Sequence, residues 1–199
     1  MRTSAVMFKK LYDKTLELAA HPRAGTALFG VSFAESSFFP IPPDVMLIPM
    51  VLAERTKAWL YATICTLGSV IGGAAGYAIG FFLFESVGTA VLNFYGYMEK
   101  FTKFADTYNE QGIWIVLAAG LTPLPYKIFT IASGLAQMNI FAFIGASVVA
   151  RGIRFFAVSG LLYWFGAPIR EFIEKRFGLV VSLFFILLVG GFILLKYLV

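Results

Sequence analysis

Charge is scarce in this chain of 199 residues: 14% are Asp, Glu, Lys or Arg, where a soluble domain carries about a quarter. So little charge cannot coat a surface that faces water all round. Cysteine is limited to Cys65, which lies in an apolar run, so no internal disulfide forms and the redox compartment is not readable. Histidine is limited to His21, before Pro22, with no cysteine or acidic cluster beside it. That leaves no metal site and no serine–histidine–acid set, so the sequence predicts neither an enzyme nor a bound cofactor. The net charge of +5 does not point to nucleic acid, because the positive-inside rule of membrane proteins accounts for it.

What the chain has is apolar length. Hydrophobic residues make up 59% and aromatics 17%, and the mean hydropathy is +0.82. Ala58 to Phe84 and Gly178 to Leu195 carry no charge, and about 20 apolar residues cross a bilayer. In the first of these, Gly68, Gly72, Gly76 and Gly80 recur every four residues and make a smooth stripe for a close neighbour. The stripe suits packing within one protomer as well as between two, which leaves a homo-oligomer open. Ile140 to Phe165 is long enough to span but carries Arg151 and Arg154 near its middle, which then require partners. Met1 to Ala20 is interrupted by charge and is no cleaved signal; it reads as a short amphipathic segment on the cytoplasmic surface.

Two further apolar stretches are broken by proline. Ala24 to Ala53 contains Pro40, Pro42 and Pro43; Ile113 to Ala136 contains Pro123 and Pro125. Paired prolines end a helix, and each half is then too short to cross alone. Two re-entrant hairpins are the expectation, since irregular backbone at membrane depth survives only when buried in protein or lining a polar cavity. Shifting the sequence from 40 to 123 superposes Pro40 on Pro123, Pro42 on Pro125, Ala53 on Ala136 and Asp44 on Lys127. Each hairpin precedes a long span, so the chain reads as an internal repeat, and broken helices in matching halves point to a transporter's binding site. With the N-terminus in the cytoplasm, ten Lys and Arg fall inside and three outside, and the two hairpins enter from opposite faces. The segment from Glu85 to Gln111 then lies outside, with Tyr97, Phe101, Phe104 and Tyr108 on one helix face at the interface.

Five charges remain at membrane depth: Glu35, Asp44, Lys127, Arg151 and Arg154. Each costs at least about 2.5–3.5 kcal/mol at the bilayer centre. One reading is neutralisation, with the acids holding the arginines. The other is a binding site: three cations face two acids, the surplus attracts an anion, and the planar arginine fork suits phosphate.

Two motifs then resemble a known family. The run ESSFFPIPPD from Glu35 to Asp44 resembles the first hairpin of the DedA superfamily, also called the SNARE-associated or VTT-domain family. The run LTPLPYK from Leu121 to Lys127, followed by Ala132-Ser133-Gly134, resembles the second, nearest the YqaA-like branch. The likeness covers residues 25–166. It implies that Glu35 and Asp44 are the acidic pair associated with proton-linked activity. The arginines usual on either side of a proline are here Gly120 and Tyr126, so Lys127, Arg151 and Arg154 are the candidates for the cationic role. The resemblance further implies lipid transport, of undecaprenyl phosphate or a phospholipid, in a bacterial inner membrane.

The expectation is thus an all-α integral membrane protein: an inverted-repeat bundle with two opposed re-entrant hairpins and about three full transmembrane helices. Its parts are an amphipathic segment 1–23, a first repeat 24–84, an interfacial linker 85–112, a second repeat 113–166 and a C-terminal span 167–199. The expected function is a flippase or scramblase for a phosphate-bearing lipid, coupled to protons or passive; the alternative is a proton-coupled exchanger of small cations or drugs.

Overall fold

A computed structural model of the protein describes residues 23–39, 42–122, 125–166 and 168. Residues 1–22 of the expected amphipathic segment, the span from Gly178 to Leu195, and Pro40 and Pro123 of the two breaks lie outside the described residues. Helix dominates, and no strand occurs among the described residues.

The same order of elements occurs twice. Helix α1 (Ala24–Ser37) ends at the first proline cluster, α2 (Asp44–Ala53) resumes after it, and the long α3 (Ala58–Leu83) follows a short 3-10 turn, Arg55–Lys57. In the second half, α5 (Met98–Leu121) ends at the second cluster, α6 (Tyr126–Leu135) resumes, and the long α7 (Ile140–Gly166) follows. Between the halves, a π-helical segment (Phe84–Gly88) carries α3 into α4 (Thr89–Phe94) without a stop. The chain then reverses at Gly96, whose φ of 68° lies in the region glycine tolerates best.

Local chemistry explains these boundaries. Pro43 and Pro125 occupy matching positions immediately before α2 and α6, where a missing N–H and a preset φ cost nothing. Asn139 starts α7, its side-chain oxygen accepting from the backbone N–H groups of Phe141 (3.0 Å) and Ala142 (3.1 Å). The helix starts therefore correspond at a shift of 82, from Pro43 to Pro125, one residue from the alignment of Pro40 with Pro123. Asp44 corresponds to Tyr126 rather than to Lys127.

The segment between the repeats is helical on both sides of a tight turn, and the helix expected from its aromatic spacing runs without a stop into the second repeat as α5, from Met98. Glu99, Lys100, Lys103, Glu110 and Gln111 are good helix formers, so polarity alone does not end the helix. The expected aromatic face exists: Phe101 lies 6.0 Å from Phe104, which lies 5.7 Å from Tyr108, and Phe84 stacks on Phe101 at 4.8 Å. Tyr108, however, is buried rather than interfacial, because its hydroxyl finds the Ser133 hydroxyl at 3.0 Å on α6.

The glycine stripe of α3 is used within the chain. A Cβ at Gly68 would lie 2.7 Å from the Phe29 carbonyl oxygen of α1, and one at Gly72 would meet the Phe33 carbonyl. Further along, Gly76 and Gly80 face Thr130 and the Ile131 carbonyl of α6, while Gly134 of α6 faces the Tyr77 carbonyl in return. Backbones touch at these points, so α3 holds both broken elements.

Two apolar cores result. One joins α1, α2, the start of α3 and the end of α7 through Leu28, Leu47, Met50, Ala62, Cys65 and Phe155. The other joins the end of α3, α5, α6 and the start of α7 through Tyr77, Val116, Tyr126 and Phe143. The two long helices therefore run antiparallel, and the polar groups lie between the cores.

Candidate functional site

Ser69 is the twelfth of 26 residues in α3 and Arg151 the twelfth of 27 in α7. The Arg151 Nε–H donates to the Ser69 hydroxyl at 2.6 Å, joining the middles of the two long helices. From the same edge of the guanidinium, Nη2 donates to Glu35 Oε2 at 2.8 Å. The Ser36 hydroxyl, beside Glu35 near the end of α1, lies 3.0 Å from that carboxylate oxygen and 2.6 Å from the Ser69 hydroxyl. These four residues close a hydrogen-bonded ring.

The ring fixes its own protons. Ser36 gives its one hydroxyl hydrogen to the Glu35 carboxylate, so Ser69 donates to Ser36 while accepting from Arg151. Glu35 thus receives two donors at one oxygen. Every member is buried, with the Arg151 side chain 2% exposed and that of Glu35 11%. The rings of Tyr126 and Phe155 cover the guanidinium at 4.8 and 4.7 Å from its centre. Tyr126 is itself anchored by a hydroxyl contact to Ser147.

Arg154, one turn along α7, makes the second pair. Its Nη2 donates to Asp44 Oδ2 at 2.6 Å, and its Nη1 donates to the Thr122 carbonyl at 2.6 Å. Asp44 is the first residue of α2, where a helix N-terminus favours an acid. Thr122 precedes Pro123 and is extended, with ψ of 162°. Its carbonyl therefore leaves the helix direction and faces the arginine. One side chain of α7 thus ties the start of α2 to the end of α5, spanning both breaks. This pair is looser than the first: the side chains are 15% and 16% exposed, and the buried Nε–H of Arg154 donates to no described residue.

Of the five charges expected at membrane depth, four converge as two carboxylate–arginine pairs on α7. Lys127 stays outside: it is half-buried, and its ammonium makes no hydrogen bond or ion pair with a described residue. Adjacent helix positions point about 100° apart, and Tyr126 takes the inward one. Sequence reasoning missed Ser36, Ser69, Thr122 and Tyr126. Ser36 adjoins Glu35 and Ser69 adjoins Gly68 of the stripe, which was the available signal. Of the proline positions, Pro42, Pro43 and Pro125 fall at the observed breaks. No group of three or more His, Cys, Asp or Glu that could hold a metal ion occurs among the described residues.

The outer faces of the long helices complete the class. Leu67, Ile71 and Ile79 of α3 and Phe141, Val149 and Ile153 of α7 are exposed, Phe141 by 81%. Both helices are long and apolar enough to cross a membrane, and about a third of each span's most apolar window is buried (39% and 33%), whereas the core helix of a soluble protein hides its apolar residues. The fold and site define a helical membrane protein with paired charges at mid-span.

Comparison with known proteins narrows this to one family. The VTT domain matches residues 41–164, and the chain belongs to that family, within the DedA superfamily. A Haemophilus influenzae protein described as uncharacterized is 41% identical over 172 residues, covering 84% of this chain and 89% of its own length. A Histophilus somni homologue is also 41% identical over 172 residues, covering 84% and 90%. A Methanocaldococcus jannaschii protein, likewise uncharacterized, is 26% identical over 130 residues, covering 64% and 76%. No solved structure matches.

Proposed function

We propose that the protein is a transporter of the flippase or scramblase type, moving a phosphate-bearing lipid between leaflets. The two proline breaks act as tips of hairpins that enter a bacterial inner membrane from opposite faces, with the N-terminus in the cytoplasm. The observation that carries the reading is the Arg154 bridge, which brings both breaks to one cationic side chain at mid-span. Arginine recognises phosphate through paired donors, and charges at that depth are costly enough to mark function. An aromatic cluster where the start of α3 meets the end of α7 suits a membrane interface: Trp59 packs on Phe156, Tyr163 and Trp164.

The test is leaflet exchange in liposomes containing the purified full chain, with labelled polyprenyl phosphate and labelled phospholipids as cargo. Faster exchange than in empty liposomes is expected for at least one phosphate-bearing lipid. No acceleration for any of them, from a preparation that melts cooperatively, overturns the reading. A small-cation exchanger instead predicts that Arg154→Ala matters little, whereas lipid transport predicts that it is severe.

A further inference from the structure

We propose that the two ion pairs divide the work, and that Arg154 binds the phosphate by giving up Asp44. This rests on the phosphate-lipid reading above and assigns its binding residue. The ring around Arg151 stays closed, because its Nε–Nη2 edge is filled by Ser69 and Glu35 and the rings of Tyr126 and Phe155 pack against its guanidinium. A phosphate reaching it would have to break the ring and displace aromatic side chains.

Arg154 is built differently. On its Nε–Nη2 edge, Nη2 holds a single oxygen of Asp44 while Nε–H donates to no described residue, although it is buried. A planar carboxylate held by one oxygen leaves that edge half used. A phosphate monoester presents two oxygens to the same edge, satisfies Nε and replaces Asp44 in one step. Asp44 is not stranded when it leaves, because it starts α2 and keeps the favourable end of that helix. Its carboxylate is therefore a resident competitor that sets how tightly the cargo is held. Departure of the phosphate restores the Asp44–Arg154 bond.

Calorimetric titration of the detergent-solubilised full chain tests this, with dioctanoyl phosphatidic acid as probe and inorganic phosphate as a separate arm. Removing the competitor should tighten binding, so Asp44→Asn is expected to lower the Kd for phosphatidic acid by about tenfold. Arg154→Lys, which keeps the charge and loses the fork, should raise it by about as much. Glu35→Gln, which removes the other carboxylate, should lower the melting temperature without tightening. Asp44→Ala provides the same reading should Asp44→Asn not fold. Unchanged or weaker binding in folded Asp44 variants overturns the exchange, as does equal tightening in Glu35→Gln. Inorganic phosphate binding as tightly as phosphatidic acid overturns the lipid as cargo. Leaflet exchange by the wild type together with no tightening in Asp44→Asn removes this inference and leaves the transport reading standing.

Discussion

Glu35–Arg151 joins α1 to α7 and Asp44–Arg154 joins α2 to α7 with the same chemistry, and their arginines lie three residues apart on α7. The first pair sits inside a ring of four residues, with two aromatic rings packed against its guanidinium. The second has a single carboxylate oxygen, a backbone carbonyl and an unused N–H. What separates them is the completeness of the surroundings. A buried pair whose remaining donors are satisfied holds its geometry, whereas one with a donor to spare has a lower barrier to changing partners.

The largest effect should come from breaking the closed pair. Arg151→Ala leaves Glu35 buried and uncompensated, and a stability loss of about 3–5 kcal/mol is expected, read as a fall in thermal midpoint by circular dichroism in detergent. The double change Glu35→Met with Arg151→Met should recover most of that loss; failure to recover would show the charges themselves to be indispensable to folding. Next in size is the ring: Ser69→Ala leaves the Arg151 Nε–H without its acceptor, at about 1–3 kcal/mol. A loss as large as that of Arg151→Ala would mean that the ring acts as one unit. Arg154→Ala should destabilise less than Arg151→Ala, because Asp44 keeps the α2 N-terminus and some solvent contact when its partner goes, and yet abolish leaflet exchange. Equal midpoints for Arg154→Ala and Arg151→Ala would erase the contrast. The smallest effect belongs to the surface pair in which Lys57 reaches Glu54 at 2.8 Å. Its hydrogen bond holds the Glu54 carboxyl below its ordinary range, but both groups face solvent, so Lys57→Gln should leave the melting midpoint unmoved.

Much of this was legible in the sequence, because the strongest signals were physical prohibitions. Prolines forbid helix, and α1, α2, α5 and α6 stop and start around them; ionised groups avoid lipid, and four of the five found carboxylate or arginine partners. Which acid pairs with which arginine was not legible, since positions three apart share a face and sequence carries no depth. Ser36 and Ser69 escaped notice because a hydroxyl in an apolar helix commonly bonds its own backbone; only the approach of α1 to α3 makes them a bridge. The π-helical passage from α3 into α4 was also hidden, because Glu85 and the glycines after it resemble a loop in composition alone.

The contacts of α3 restrict how the molecule can rearrange. Carbonyls of α1 and α6 rest on its glycines with no room for a methyl group, so sliding along α3 would break this fit of backbone against backbone. The three helices are obliged to travel as one body. The Arg151 ring fastens α7 to that body as well, so the Asp44–Arg154 pair, with a donor to spare, is the contact that can open without moving the framework.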